Sequence, residues 1–98
     1  MYARVVRFTG LDADALETNL AGIRERSEGG PPEGVPAKAL KILADKENGT
    51  MLAVSFFETE ADMRTGDATL SEMTPPAGAD AGTRASVDLC EVAIEREV

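Results

Sequence analysis

Apolar and polar residues follow a period of two in several segments of the chain and a helical period in others. Runs that alternate, or that are rich in β-branched and aromatic residues, predict strands. Leu16, Leu20 and Ile23 recur at the spacing of one helix face. The predicted elements are a strand over residues 2–8, a helix ending near residue 26, strands over 37–44 and 50–58, a second helix after residue 59, and a strand over 84–94.

Residues with special backbone or capping properties mark the ends of these elements. Asp12 or Asp14 is placed to cap the first helix, and Thr59 to cap the second, because their side-chain oxygens accept from first-turn N–H groups. Asn48 and Gly49 tolerate positive φ and predict a hairpin turn between the second and third strands. Two stretches rich in Pro and Gly predict loops, over residues 27–36 and 74–83.

The element order β-α-β-β-α-β predicts a ferredoxin-like α+β domain. Right-handed crossovers place the first and third strands side by side at the centre of a four-stranded antiparallel sheet, with both helices on one face. At 98 residues the chain is long enough for one such domain and too short for two, so residues 1–98 are expected to form a single unit.

The third predicted strand is apolar on both faces, with Ser55 as its polar interruption. An antiparallel sheet with one solvated face should alternate between apolar and polar residues. Since two helices cover one face only, we expect a second copy of the chain to cover the other, giving a homodimer. The alternative is a central strand buried by loops. The two sets are Leu52, Val54 and Phe56, and Met51, Ala53, Ser55 and Phe57.

The formal net charge of -8 narrows the classes of partner. Phosphate-backbone binding needs clustered Lys and Arg, so no nucleic-acid partner is expected, and adhesion to an anionic membrane is disfavoured for the same reason. Cys90 is the single cysteine, which predicts no intramolecular disulfide and, with no apolar leader segment, a cytoplasmic location. In an alternating strand Cys90 is interpreted as a small buried side chain.

Four segments carry a resemblance to a known family: MYARVVRF, SFFETEADMR, the TPPAG loop and SVDLCEVAIE. Together they resemble the dimeric α/β-barrel superfamily, and within it the antibiotic biosynthesis monooxygenase (ABM) type from bacteria. The resemblance covers essentially the whole chain and concerns layout rather than a catalytic signature, so it bears on fold more than on function.

The resemblance, together with the residues in which the chain departs from it, leaves two candidate functions. Relatives of the ABM type include cofactor-independent monooxygenases, haem-degrading enzymes and quinol oxygenases, whose clefts use His, Trp, Asn or Tyr. This chain contains no His and no Trp, so no catalytic residue is carried over and no metal or haem site based on imidazole is expected. The first hypothesis is a module that binds a small apolar or aromatic molecule without a cofactor. The alternative is an ABM-like monooxygenase acting on a phenolic or quinol-type substrate.

Polar candidates for a ligand site have plain structural alternatives. Arg4 and Arg7 lie on opposite faces of the first strand, and either could hold a carboxylate or phenolate; the alternative is an ion pair within the sheet or at an interface. Asp88 could act as a base if its surroundings are apolar, or it could simply face solvent. Tyr2 could donate its O–H to a ligand, or anchor the end of the sheet.

An apolar pocket is predicted between the third strand and the second helix, with Arg4 or Arg7 at its mouth. Flexible or large side chains that pack imperfectly can leave a cavity of ligand size. An Arg, Tyr or Asp converging on an open apolar cleft would favour an enzyme, and a cleft filled by Met and Leu a structural role. The proposed lining residues are Met51, Phe57, Met63, Leu70 and Met73.

Overall fold

Four strands and two helices follow one another in the predicted order. The computed structural model describes residues 1–31, 33–72 and 83–96. The predicted loop over 74–83 lies outside these residues except for its last position. The elements are β1 (Tyr2–Thr9), α1 (Ala13–Ser27), β2 (Ala39–Asp45), β3 (Thr50–Phe57), α2 (Glu60–Glu72) and β4 (Thr83–Glu91).

The strands form one antiparallel sheet in the order β2-β3-β1-β4. Strands β1 and β3 occupy the centre, as predicted, with Tyr2 opposite Phe57 and Phe8 opposite Met51. Both helices pack on the face that carries these side chains. The chain therefore has the ferredoxin-like α+β fold that the element order predicts.

Side-chain caps fix the start of each helix. The N–H of Ala15 donates to Asp12 Oδ1 at 2.7 Å, so Asp12 rather than Asp14 is the cap of α1. The N–H of Asp62 donates to Thr59 Oγ1 at 3.1 Å, which confirms Thr59 as the cap of α2. Asp14 instead lies in the first turn of α1, where a carboxylate interacts favourably with the helix dipole.

The turn between β2 and β3 is fastened to the entry of α1. Gly49 has φ of +63° and its carbonyl accepts from the N–H of Leu11 at 3.1 Å. A Cβ at residue 49 would lie 2.2 Å from the carbonyl oxygen of Leu11. Both the positive φ and the close backbone approach require glycine at this position.

Two strand ends differ from the prediction by more than one residue. Strand β2 begins at Ala39 rather than at residue 37, because Ala37 packs against the apolar cluster under α2. Strand β4 ends at Glu91 rather than at residue 94: Glu91 pairs with Tyr2, the first residue of β1, and beyond it the Val92 N–H donates to the carbonyl of Met1 at 2.9 Å.

The core consists of two clusters, one under each helix. Under α1, Leu11, Leu16 and Met51 are buried. Under α2, the buried residues are Val35, Phe57 and Met63, with half-buried side chains packed around them: Tyr2, Ala37, Leu70 and Leu89. Because each helix covers its own half of the sheet, the space between the helices is left for the segment that follows α1.

The opposite face of the sheet carries no helix. On it, Val5 of β1 lies opposite Val54 of β3 and Asp88 of β4. Lys41 and Phe56 also share this face, with the Lys41 Nζ 5.8 Å from the ring centroid. Leu52, Val54 and Phe56 are half-exposed here, so the predicted second apolar face of β3 is present and lies away from both helices. We call this the open face.

Candidate functional site

An open cavity of about 390 Å³ lies between the sheet and the helices. Leu40 and Ser55, which lie opposite each other on β2 and β3, form its floor. Ile23 of α1 and Leu70 of α2 form two of its walls. The remaining lining residues are Arg26, Ser27, Gly30, Pro31, Val35, Ala37, Lys38 and Ala39.

The segment after α1 closes one side of this cavity and is tied down at two points. Thr69 Oγ1 of α2 donates to the carbonyl of Gly34 at 3.2 Å. Val35 is buried against Phe57 and Met63. Gly30, at φ of +87°, turns the chain back after its N–H donates to the carbonyl of Ser27 at 3.1 Å. A hydrogen bond and a buried side chain therefore hold this wall in place.

Leu40 shows that the cavity is open rather than filled. It points to the helix side of the sheet, since it lies opposite the buried Ser55. Nevertheless 44% of Leu40 is exposed. A large aliphatic side chain on the helix side of a sheet is normally covered, and the exposed part of Leu40 forfeits a share of the about 1.5–3 kcal/mol that full burial would give. The uncovered surface of Leu40 is available to a bound molecule.

Two cations stand among the otherwise apolar lining. Arg26 and Lys38 are both exposed and line the cavity. The Lys38 Nζ lies 3.8 Å from Glu58 Oε2. Besides these cations, Ser27 and Ser55 are the polar side chains among the described lining residues, and none of those lining residues is Asp, Glu, Tyr or Cys.

Arg4 is buried beside the cavity and does not line it. Its side chain is 6% exposed, and its Nε donates to Asp67 Oδ1 of α2 at 2.8 Å. The Arg4 Nη2 finds no hydrogen-bond partner among the described residues. This partly buried ion pair joins β1 to α2, whereas the structural alternative predicted for this arginine was a pair within the sheet or at an interface.

The other predicted site residues are distributed over both faces of the sheet. Leu70 lines the cavity. Met51 lies in the cluster under α1, whereas Phe57 and Met63 fill the cluster under α2, with Tyr2 half-buried beside them. These packed side chains leave the open space further towards β2. Met73 lies outside the described residues.

Arg7, Asp88 and Cys90 lie on the open face and are exposed. The interpretation of Cys90 as a buried side chain is wrong, because β4 is an edge strand and its side chains on this face are uncovered. Neither Arg4 nor Arg7 is at the mouth of the cavity, where Arg26 and Lys38 stand instead.

Within the described part of the chain, no group of three or more His, Cys, Asp or Glu side chains could hold a metal ion. No helix among those residues is long and apolar enough to cross a membrane.

The chain matches no known family, no curated protein and no solved structure in sequence or structure comparisons.

Proposed function

We propose that this protein binds a small apolar or aromatic molecule in the cavity between its sheet and its helices. The observation that carries the proposal is the open apolar cavity itself, whose volume of about 390 Å³ falls in the usual range of small-molecule sites. The exposed surface of Leu40 and the walls given by Ile23 and Leu70 supply apolar contacts for such a molecule.

Calorimetric titration with 2-naphthamide, a neutral aromatic probe, tests this proposal. We expect a dissociation constant on the order of 10–100 μM, since a ligand of this size gains limited contact energy after association costs. Leu40→Trp should fill the cavity and abolish binding. Leu43→Trp is the matched control, because Leu43 lies on the same strand, is similarly exposed, and points to the open face.

Two outcomes of this titration would contradict the binding proposal. If 2-naphthamide binds neither the unmodified protein nor the Leu43→Trp variant, the binding proposal fails. Equal binding to all three proteins would place the probe outside the cavity and would also count against it. Leu70→Trp, which fills the same cavity from α2, provides an independent variant should Leu40→Trp fail to fold.

The alternative function is an ABM-like monooxygenase. The cavity is open and carries Arg26, which supports a functional cleft, and cations there could stabilise a phenolate. Removing a proton from the substrate would need a base, however, and serine hydroxyls without a partner base are poor ones at neutral pH. The lining therefore supports binding better than catalysis. Oxygen uptake with a quinol that depends on the protein, and is lost in Leu40→Trp, would favour the enzyme instead.

We further propose that a second copy of the chain covers the open face. Apolar side chains occupy its centre, and Arg7, Lys41 and Asp88 on the same face supply charges of both signs. In a two-fold interface each patch meets itself, so a face that carries both signs can pair a cation of one copy with a carboxylate of the other.

A further inference from the structure

We infer that the molecule bound in the cavity carries an anionic group, most simply a carboxylate, on an apolar body. This inference rests on the proposed function and specifies the class of its ligand. It comes from the charged residues of the lining: Arg26 and Lys38 face the cavity, and no acidic side chain is among the described lining residues.

The charge of the cavity lining is opposite in sign to the net charge of the chain. The sequence contains 18 acidic residues against 10 basic ones, so a typical patch of surface carries more carboxylates than cations. A lining with two cations and no carboxylate departs from that background. The net charge of -8 repels anions at long range, and a local pair of cations is what an anionic ligand would need to bind against that field.

Both cations are available to a ligand. Within the described residues no ion pair engages Arg26. Lys38 has a contact with Glu58, but the two side chains are 58% and 69% exposed and 3.8 Å apart. Exposed pairs of this kind contribute at most about 1 kcal/mol, so a ligand carboxylate can compete with Glu58 for the ammonium group.

The chemistry of the two side chains favours a carboxylate. The guanidinium of Arg26 offers paired N–H donors that match the two oxygens of a carboxylate, and Lys38 adds a point charge. The apolar walls then contact the rest of the molecule. The cavity therefore has a polar end and an apolar end, and the polar end is the solvent-exposed rim where both cations lie.

Three probes of one shape test the inference by calorimetric titration: 2-naphthoate, neutral 2-naphthamide and cationic 2-naphthylmethylammonium. We expect 2-naphthoate to bind about three- to tenfold more tightly than 2-naphthamide, the range expected for charge-assisted contacts at an exposed rim. The ammonium probe should bind most weakly, although the net charge of the protein attracts it.

Matched variants assign the effect to the two side chains. Arg26→Met and Lys38→Met should each reduce the preference for 2-naphthoate over 2-naphthamide, and together abolish it, while 2-naphthamide still binds. Arg24→Met and Lys41→Met remove the same charges from α1 and β2 without touching the lining, and should leave the preference unchanged.

The possible failures are distinguishable. Equal binding of 2-naphthoate and 2-naphthamide would overturn the inference and leave the proposed function intact. Tightest binding of the ammonium probe would overturn the inference as well, because the net negative charge of the protein, rather than the two cations of the lining, would then determine which probe binds best. If the control variants lose as much of the preference for 2-naphthoate as Arg26→Met and Lys38→Met do, the preference depends on the net charge of the protein. That result would overturn the inference. If none of the probes binds, the proposed function fails and the inference with it.

Discussion

Gly66 of α2 lies directly against the ring of Phe57. A Cβ built at residue 66 would come 2.6 Å from Phe57 Cε1, and Phe57 is fully buried. The absence of a side chain at residue 66 is what lets α2 approach the sheet closely enough to cover this ring. The sequence alone indicates only that a glycine weakens the helix by about 1 kcal/mol.

We therefore predict that Gly66→Ala destabilises the protein. The clash with a buried ring should cost about 1–3 kcal/mol, which exceeds the gain in helix propensity. Gly22→Ala is the control, because a Cβ there would meet only the flexible end of Arg26, at 3.4 Å. It should stabilise the protein by up to about 1 kcal/mol. Urea denaturation of both variants measures the difference, and effects of the same sign would contradict the prediction.

Arg4 and Asp67 give a second prediction. Asp67→Asn leaves a guanidinium that is 6% exposed without a carboxylate, and we expect a loss of about 1–3 kcal/mol in the free energy of unfolding. Glu60→Gln breaks another arginine pair of α2, with Arg64, in which both side chains are exposed. That loss should be about 0.3–0.5 kcal/mol. Similar losses in the two variants would show that burial of Arg4 does not matter.

Asp45 in the hairpin turn supplies a prediction about pH. The Asn48 side chain donates to Asp45 Oδ2 at 2.8 Å, and this bond, with a second from the Asn48 backbone N–H, lowers the pKa of Asp45. A carboxyl whose pKa is lowered by folding stabilises the folded state above its unfolded pKa. That contribution is lost as the pH falls through the folded pKa.

Replacing the donor should therefore raise the pKa of Asp45. We expect the carboxyl carbon of Asp45 to titrate at a higher pH in Asn48→Ala than in the unmodified protein, as followed by carbon-detected NMR. Because the folded and unfolded pKa values of Asp45 then lie closer together, the variant should be less stable at neutral pH and should lose less stability on acidification. An unchanged titration of Asp45 in the variant would show that the turn hydrogen bonds do not act on this group.

The fold was predictable from local pattern, whereas the cavity was not. The β-branched and aromatic runs of β1 and β3, the caps at Asp12 and Thr59 and the turn at Gly49 are local features, and each agrees with the structure. The sequence of β3 also indicated that both of its faces are apolar. It could not indicate which face lies under the helices, because a period of two is the same for both faces.

The cavity depends on where the segment after α1 packs. Val35 is buried under α2, and its packing there holds the segment that contains Gly30 and Lys38 against the cavity. In sequence this stretch reads as a loop, which says nothing about its position relative to the sheet. Leu40 shares its face of β2 with Ile42 and Ala44, so in sequence it reads as an ordinary core position and gives no signal of the cavity. Phe57, a predicted pocket residue, packs closely under α2 because Gly66 lets the helix approach its ring.

The open face leads to a prediction about assembly. Val54 lies on a central strand in the middle of that face. Sedimentation of the unmodified protein at micromolar concentration should give twice the chain mass. Val54→Glu places a charge in the apolar centre of each patch and should give a single chain mass. Ala21→Glu adds the same charge on an exposed position of α1 and should remain dimeric. A monomeric unmodified protein would refute the assembly.

The pairing of Tyr2 with Phe57 has a consequence for how the chain acquires its structure during synthesis. Both neighbours of β1 in the sheet, β3 and β4, come later in the sequence. During synthesis, strand β1 therefore has no partner until α1, β2 and then β3 have been made. Strands β2 and β3 are joined by a short turn and can pair at once, whereas β1 must wait for a long loop to close. Strand β1 is the first of the four strands to be made and among the last to be paired on both sides.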